Sequence, residues 1–351
     1  MAAGAVASLY FLYGERKEKI DFLALDETPL SIPIKDVKLT EKGAKAEVVK
    51  DSGDDPDITN GVSIFTEIRI LENTEKIIFT AGEGIGIVTK KGLSLEVGEP
   101  AINLEPRKLI TKLVKPLLKE NTGAEIIISI PKGEILAKKT LNPTLGIEGG
   151  LSIIGTTGVL RPMSEEGFKN ALLPQIDMAK AAGYNSQVFV PGKIGERIAI
   201  SYGLPKEAIV ETSNFIGFML EAACEKKLYG VLLFGHLGKL SKVAAGVFYT
   251  HNKIADARME TIAAYAGEFG LSAKNISRIL NANTTEEALT VLNEENLTRV
   301  VCDKIAKRVT LRAERYVFNE LKVGTVLVTL KGELLGMDDN AREIMKEIKG
   351  E

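Results

Sequence analysis

Between residues 151 and 248 the chain alternates short apolar runs with longer stretches whose apolar residues recur at helical spacing. Runs at 151–154, 188–190, 208–210 and 231–234 read as buried strands, and 164–182, 193–202, 215–226 and 237–248 as helices. Parallel strands cannot be closed by a tight turn, so strand–helix alternation specifies a parallel sheet with crossover helices on both faces. In the first of these helices Phe168, Leu172, Ile176 and Ala179 share a face, with Ser164 at the cap position and Gly183 at the stop. Pro174 inside that span predicts a kink or a break. Ligands of such sheets sit beyond the carboxyl ends of the strands, which points to the loops beginning at Gly155, Pro191, Glu211 and Gly235.

The residues before 150 follow another pattern. Period-2 and β-branched runs at 21–25, 30–34, 45–50, 62–71, 77–80 and 125–130 predict strands, with one helix over 106–121 stopped by Gly123. Residues 1–12, small and apolar, read as the buried part of a helix. After residue 254 the spacing is helical to about 321, with Asn283 or Thr284 as a cap, and the Lys331-Gly332 turn joins 325–330 to 333–336 in a terminal hairpin. The expected architecture is an N-terminal mixed-sheet α+β domain over 1–150. A Rossmann-like α/β domain over 151–351 follows, with a helical C-terminal extension and the hairpin.

Composition removes several function classes. A net charge of −2 over 351 residues gives no basic footprint for nucleic acid and no general attraction to anionic membranes. No run is long and apolar enough to predict a membrane span. The two cysteines, Cys224 and Cys302, stand far apart in apolar, helix-like contexts, so free buried thiols in a reducing cytoplasm are expected.

Several loops have the residue types that chemistry needs. Gly155-Thr156-Thr157-Gly158 offers backbone N–H groups and hydroxyls to a nucleotide-like ligand, though an ordinary tight turn has the same composition. Arg161 follows, with a fork suited to a carboxylate or to a surface ion pair. The second strand of the alternation lacks the acidic residue that a dinucleotide site requires; the acid appears one strand later, at Glu211, before Thr212, Ser213 and Asn214. That group suits ribose or amino-acid recognition, or simply a cap on the next helix by Ser213 or Asn214. Both histidines, His236 and His251, fall in one short stretch with Lys239, Lys242, Asp256 and Arg258. His236 follows a strand at the expected ligand edge, where an imidazole can exchange a proton near neutral pH; a structural histidine reads the same way, and no spacing supports a metal. Asp54, Asp55 and Asp57 lack the ligand spacing of a calcium loop. The Gly82–Gly86 stretch is followed by more strand, so a hairpin or bulged crossing is expected rather than a phosphate loop.

Taken in order, the motifs AGEGIGIVTKKGL (81–93), VGEPAINLEPRKLI (97–110), GTTGVLRPMSEEGF (155–168), FVPGKIGERIA (189–199), TSNFIGFMLE (212–221) and GHLGKLSKVAAGVFYTHNKIADARMET (235–261) resemble the cobalt-precorrin-5B C1-methyltransferase family of the anaerobic cobalamin pathway. The likeness is dense from about residue 51 to 260. It implies methyl transfer from S-adenosylmethionine to ring carbon C1 of a cobalt-precorrin, giving cobalt-precorrin-6A, with cobalt carried by the substrate and no protein-bound metal. Members of the family usually begin with a Thr-Thr-Gly-Thr-Cys stretch running into an alanine-rich helix, and residues 2–12 resemble only the helix.

On this resemblance the donor is expected at Gly155, Thr156, Thr157, Gly158, Glu211, Thr212, Ser213 and Asn214, with His236 as the base. The acetate and propionate arms of the substrate are expected at Arg107, Arg161, Arg197, Lys239, Lys242 and Arg258. A homodimer is the expected assembly. Two other classes compete: a nicotinamide-dependent oxidoreductase on a similar sheet, and a non-catalytic carrier of the tetrapyrrole.

Overall fold

The computed structural model describes residues 1–53, 58–155 and 165–350. It is a mixed α/β protein whose chain divides into two compact units, residues 1–168 and 169–351.

The first unit contains α1 (Ala2–Leu12), β1 (Lys19–Leu23), β2 (Pro29–Pro33), β3 (Asp36–Leu39), β4 (Ala44–Val49), β5 (Ser63–Glu72), β6 (Ile77–Ala81), β7 (Ile87–Val88), α2 (Leu104–Val114), β8 (Thr122–Ser129), α3 (Gly133–Ala137) and β9 (Ile147–Glu148). Its main sheet has the order β3-β4-β5-β8-β6, with β6 parallel to β8 and the other pairs antiparallel. Small residues let α1 lie close on this sheet: Ala2 to Leu9 are buried, and the Ser8 hydroxyl donates to the Thr66 carbonyl at 2.9 Å. Ile68 of β5 and Ala124, Ile126 and Ile128 of β8 belong to the same core. The helix expected over 106–121 ends early, at Val114, in a single 3₁₀ turn over Lys115–Leu117. Pro116 explains the stop, because it has no N–H to continue the helical hydrogen bonds.

The glycines of residues 81–86 are there for packing. A Cβ on Gly84 would lie 1.9 Å from the Ile130 carbonyl oxygen, and one on Gly133 or Gly150 would run into the Gly84 backbone. Three chain segments cross at a separation only glycine permits, and the chain continues into β7, as the hairpin reading expects.

The second unit begins within α4 (Glu165–Leu172), followed by α5 (Pro174–Ala181), β10 (Ser186–Val190), α6 (Lys193–Ser201), β11 (Ile209–Glu211), α7 (Ile216–Glu225), β12 (Gly230–His236), α8 (Leu237–Ala244), α9 (Arg258–Glu268), α10 (Ala273–Leu280), α11 (Thr285–Glu294), α12 (Thr298–Tyr316), β13 (Lys322–Val328), β14 (Leu334–Met337) and α13 (Asp339–Lys349). Pro174 breaks the first helix as expected, becoming the first residue of α5. The sheet order is β11-β10-β12-β13-β14: the first four strands are parallel, and β14 turns back antiparallel.

Two expectations are corrected here. The run at 151–154 does not enter this sheet; Leu151 bridges Ile85 and Ile153 bridges Ile102, both in the first unit. The fourth parallel strand is β13, which also forms the expected hairpin with β14. The central strands are buried on both faces, as a parallel sheet requires. Val231 and Leu233 face a core with Ile176, Ile216, Leu240, Ile262 and Ile305, whereas Leu232 and Phe234 face one with Ile198, Ala199, Ile344 and Ile348.

Candidate functional site

The carboxyl ends of β10, β11 and β12 lie side by side, with Val190 paired in register with Glu211. Beyond β10 the chain turns at Pro191-Gly192 into α6, whose first residue, Lys193, reaches Glu196 at 2.9 Å and Glu211 at 3.1 Å. Partial burial works against the Lys193 ammonium, but the two carboxylates beside it hold its pKa above that of an ordinary lysine. The buried Gln175 amide fixes Glu211 from the other side, accepting its N–H at 3.0 Å and donating to its carbonyl at 3.3 Å. Thr212 is buried, its N–H donating to the Val190 carbonyl at 2.8 Å.

Ser213 adopts a left-handed backbone, φ 53°, which non-glycine residues rarely occupy away from constrained or functional sites. The capping role expected for Ser213 or Asn214 is not taken: Phe215 is the N-cap of α7 and no side chain accepts from the first turn. The Asn214 carbonyl instead accepts the Thr250 N–H at 2.9 Å.

His236 closes β12 and caps α8. Its Nδ1 accepts the Gly238 N–H at 3.1 Å, so the ring proton sits on Nε2, which donates to Glu286 at 2.8 Å. Both nitrogens are engaged, and proton exchange must pass through the Glu286 side. Burial works to raise the Glu286 carboxyl, but its own backbone N–H, His236 and the Thr285 hydroxyl together hold it below the usual range. His251 has its Nδ1 accepting from the Lys253 N–H and its ring 6.4 Å from that of Tyr249. Among the described residues no group of three or more His, Cys, Asp or Glu side chains could hold a metal.

The basic residues divide sharply. Lys242 is buried, donating to the Thr250 carbonyl (3.2 Å), Asn252 Oδ1 (2.6 Å) and the Ala255 carbonyl (3.0 Å); its three N–H bonds are all used in pinning the loop after α8. Arg258 forks onto Asp256 at 2.8 and 2.6 Å, and Arg258 holds the Asp256 carboxyl down to about 2. Arg107, in the first unit, donates to the carbonyls of Ile102 and Pro100 and to Glu99. These three all have partners within the protein. Lys239 donates to the Pro191 carbonyl at 2.9 Å at the sheet edge, where burial lowers its pKa against the pull of Glu211. Arg197 is exposed on α6 with no bond to a described residue. Gly155 is exposed, and Thr156, Thr157, Gly158 and Arg161, with Ser164 and Asp54, Asp55 and Asp57, lie outside the described residues.

One feature of the site escaped the sequence reading. Phe215, Phe218 and Tyr249 surround the Lys169 ammonium, with ring centroids 5.1, 6.0 and 5.9 Å away. Phe215 pairs with Tyr249 through an isolated bridge, and their rings lie 4.9 Å apart. Three π faces turned to one point favour a cation. The available signal was the Phe-x-x-Phe spacing at the head of α7, which puts two rings on one helical face.

The family model described as CbiD matches residues 1–162, and the one described as CbiD, C-terminal domain, matches 249–339. A cobalt-precorrin-5B C(1)-methyltransferase from Moorella thermoacetica is 48% identical over 98% of this chain and 94% of its own. One of the same name from Methanocaldococcus jannaschii is 46% identical over 95% of this chain and 93% of its own. A crystal structure of cobalamin biosynthesis protein (cbiD) from Archaeoglobus fulgidus covers 77% of this chain and 81% of its own at 25% identity, with a TM-score of 0.37. By both the family models and the near-full-length relatives, the chain belongs to the CbiD family.

Proposed function

We propose that this protein transfers a methyl group from S-adenosylmethionine to carbon C1 of cobalt-precorrin-5B, giving cobalt-precorrin-6A. The observation that carries the proposal is the identity of 48% and 46%, over nearly the whole chain, to proteins named for that reaction. The geometry supports it. In this reading the second unit works in the Rossmann-like manner, with the donor beyond the carboxyl ends of β10, β11 and β12.

Bound there, the donor supplies a methyl group already activated on a sulfonium, a positive centre. The ring of Phe215, Phe218 and Tyr249 fits such a centre, since it already holds an ammonium. Glu211, held by Lys193 and fixed in place by Gln175, accepts hydroxyl groups of the donor. Thr212, Ser213 and Asn214 carry the backbone past it. The protein's remaining work is to align donor and ring carbon and to keep water out. His236 with Glu286 takes up a ring proton where one must leave. Lys239 and Arg197 take substrate carboxylates. Arg107, Lys242 and Arg258 support loops through the contacts described above.

Calorimetric titration with S-adenosylhomocysteine, followed by anaerobic incubation of cobalt-precorrin-5B with methyl-labelled donor, tests the proposal. Micromolar binding and label in the tetrapyrrole are expected. Folded protein that binds the tetrapyrrole but neither binds the donor analogue nor transfers label is a carrier, and reduction of the tetrapyrrole by a nicotinamide would make it an oxidoreductase; either result overturns the proposal.

A further inference from the structure

Arg308, Arg312 and Arg315 stand on α12 at spacings of four and three, which places them on one face. None of the three makes a hydrogen bond or ion pair with any described residue. The Nε atoms of Arg308 and Arg312 are nevertheless buried. A buried cationic donor without an acceptor is an unfavourable arrangement, and here it occurs twice on adjacent turns. Three other arginines of the unit are paired, Arg258 with Asp256, Arg278 with Glu294 and Arg299 with Asp303.

Arg312 and Arg315 line an open cleft of about 280 Å³ with Gly246, Phe248 and Tyr316. The rings of Phe248 and Tyr316 stack at 4.0 Å with 27° between their planes. Gly217 allows this pair to sit close on α7, because a Cβ there would meet the Tyr316 hydroxyl at 2.8 Å. The acids nearby are engaged: Glu221 is bonded to the Tyr316 hydroxyl, and Glu314 accepts from Val323 and Asn340. The cleft thus joins a flat aromatic surface to a row of forked cations with no acceptor among the described residues.

We propose that this face of α12 is a subsite for the substrate's edge, with Arg308, Arg312 and Arg315 binding its peripheral carboxylates and the Phe248–Tyr316 pair lying against the conjugated ring. The inference rests on the tetrapyrrole reading of the substrate given above. Guanidinium forks match carboxylates in pairs of parallel bonds, and a cleft of this volume takes one ring edge with its arms rather than the whole macrocycle.

Uroporphyrin, a planar tetrapyrrole with eight carboxylates, serves as the probe, titrated by fluorescence quenching into the full-length protein. Arg312→Gln and Arg308→Gln are each expected to weaken binding about tenfold, and the double variant more. Added salt should weaken wild-type binding, and Arg278→Gln, far along the chain in a surface ion pair, should change nothing. Melting temperature should stay level or rise in the Gln variants, since an unsatisfied buried donor is removed, whereas loss of a structural contact would lower it. If the double variant does not fold, Arg312→Lys keeps the charge without the fork and should bind several-fold more weakly. Unchanged uroporphyrin affinity in the folded variants, or no binding by the wild type, overturns the inference. Failure of the methyltransferase reading shows separately, as absent S-adenosylhomocysteine binding and label transfer while the arginines still govern porphyrin affinity.

Discussion

His236 joins two jobs in one ring, capping α8 through Nδ1 and meeting Glu286 through Nε2. Replacement by alanine should lower stability by about 1 kcal/mol, the usual worth of an N-cap. His236→Asn keeps an acceptor at the cap, so its melting temperature should stay near wild type. Methyl transfer should fall in both if the ring handles a proton, and measuring melting and turnover on the pair separates the roles; full turnover in folded His236→Asn would remove the proton role. The place of His236 at the end of a strand was legible, but Glu286 was not, since the pair is 50 residues apart in sequence. The partners of Lys242 were illegible for a related reason. Its acceptors are mainly backbone carbonyls, which every residue offers and no sequence pattern advertises. The cysteines were read as buried free thiols; Cys302 is fully buried, with its thiol pushed up to about 12, whereas Cys224 is only half-buried.

Among the elements, those with strong periodicity or punctuation were legible: β5, the break at Pro174, the helices after residue 254 and the turn at Gly332. The run at 151–154 was misplaced because an apolar segment before glycine looks the same whether it enters a parallel sheet or bridges a neighbouring unit. The last helix, α13, was missed although its signals are present, an N-cap at Asp338, apolar contacts at Ala341, Ile344 and Ile348, and a left-handed Gly350 at its end. Asp338 ties this helix to the sheet, accepting the Thr325 N–H at 2.8 Å and the Ala341 N–H at 3.0 Å. Burial pushes its carboxyl up against those bonds, so the charge itself contributes little. Asp338→Asn should therefore cost about 1 kcal/mol or less, and Asp338→Ala about 2–3 kcal/mol, because two buried donors lose their acceptor. Urea unfolding of the two variants reads the difference; equal losses would mean the charge matters more than the acceptor.

For the whole molecule, a net charge of −2 and ordinary composition said only what the chain does not bind broadly. The reaction came from six ordered motifs, and the sheet topology fits their spacing without dictating the chemistry. A donor site in the folded state has a bulk consequence. S-adenosylhomocysteine at a hundredfold excess over its Kd should stabilise the protein by about 2.7 kcal/mol, a rise of several degrees in a melting scan, and no rise at saturation would count against a donor site. The position of β13 bears on how the protein is made. This strand completes the parallel part of the sheet beside β12, yet α8 to α12 separate the two in the chain. During synthesis β12 emerges long before its partner, and α8 to α12 come off the ribosome in between. The sheet can close only after α12 has been made, so until then one edge of β12 stands open to pairing with other chains. Slow folding and a need for chaperone cover during translation follow from that order of strands.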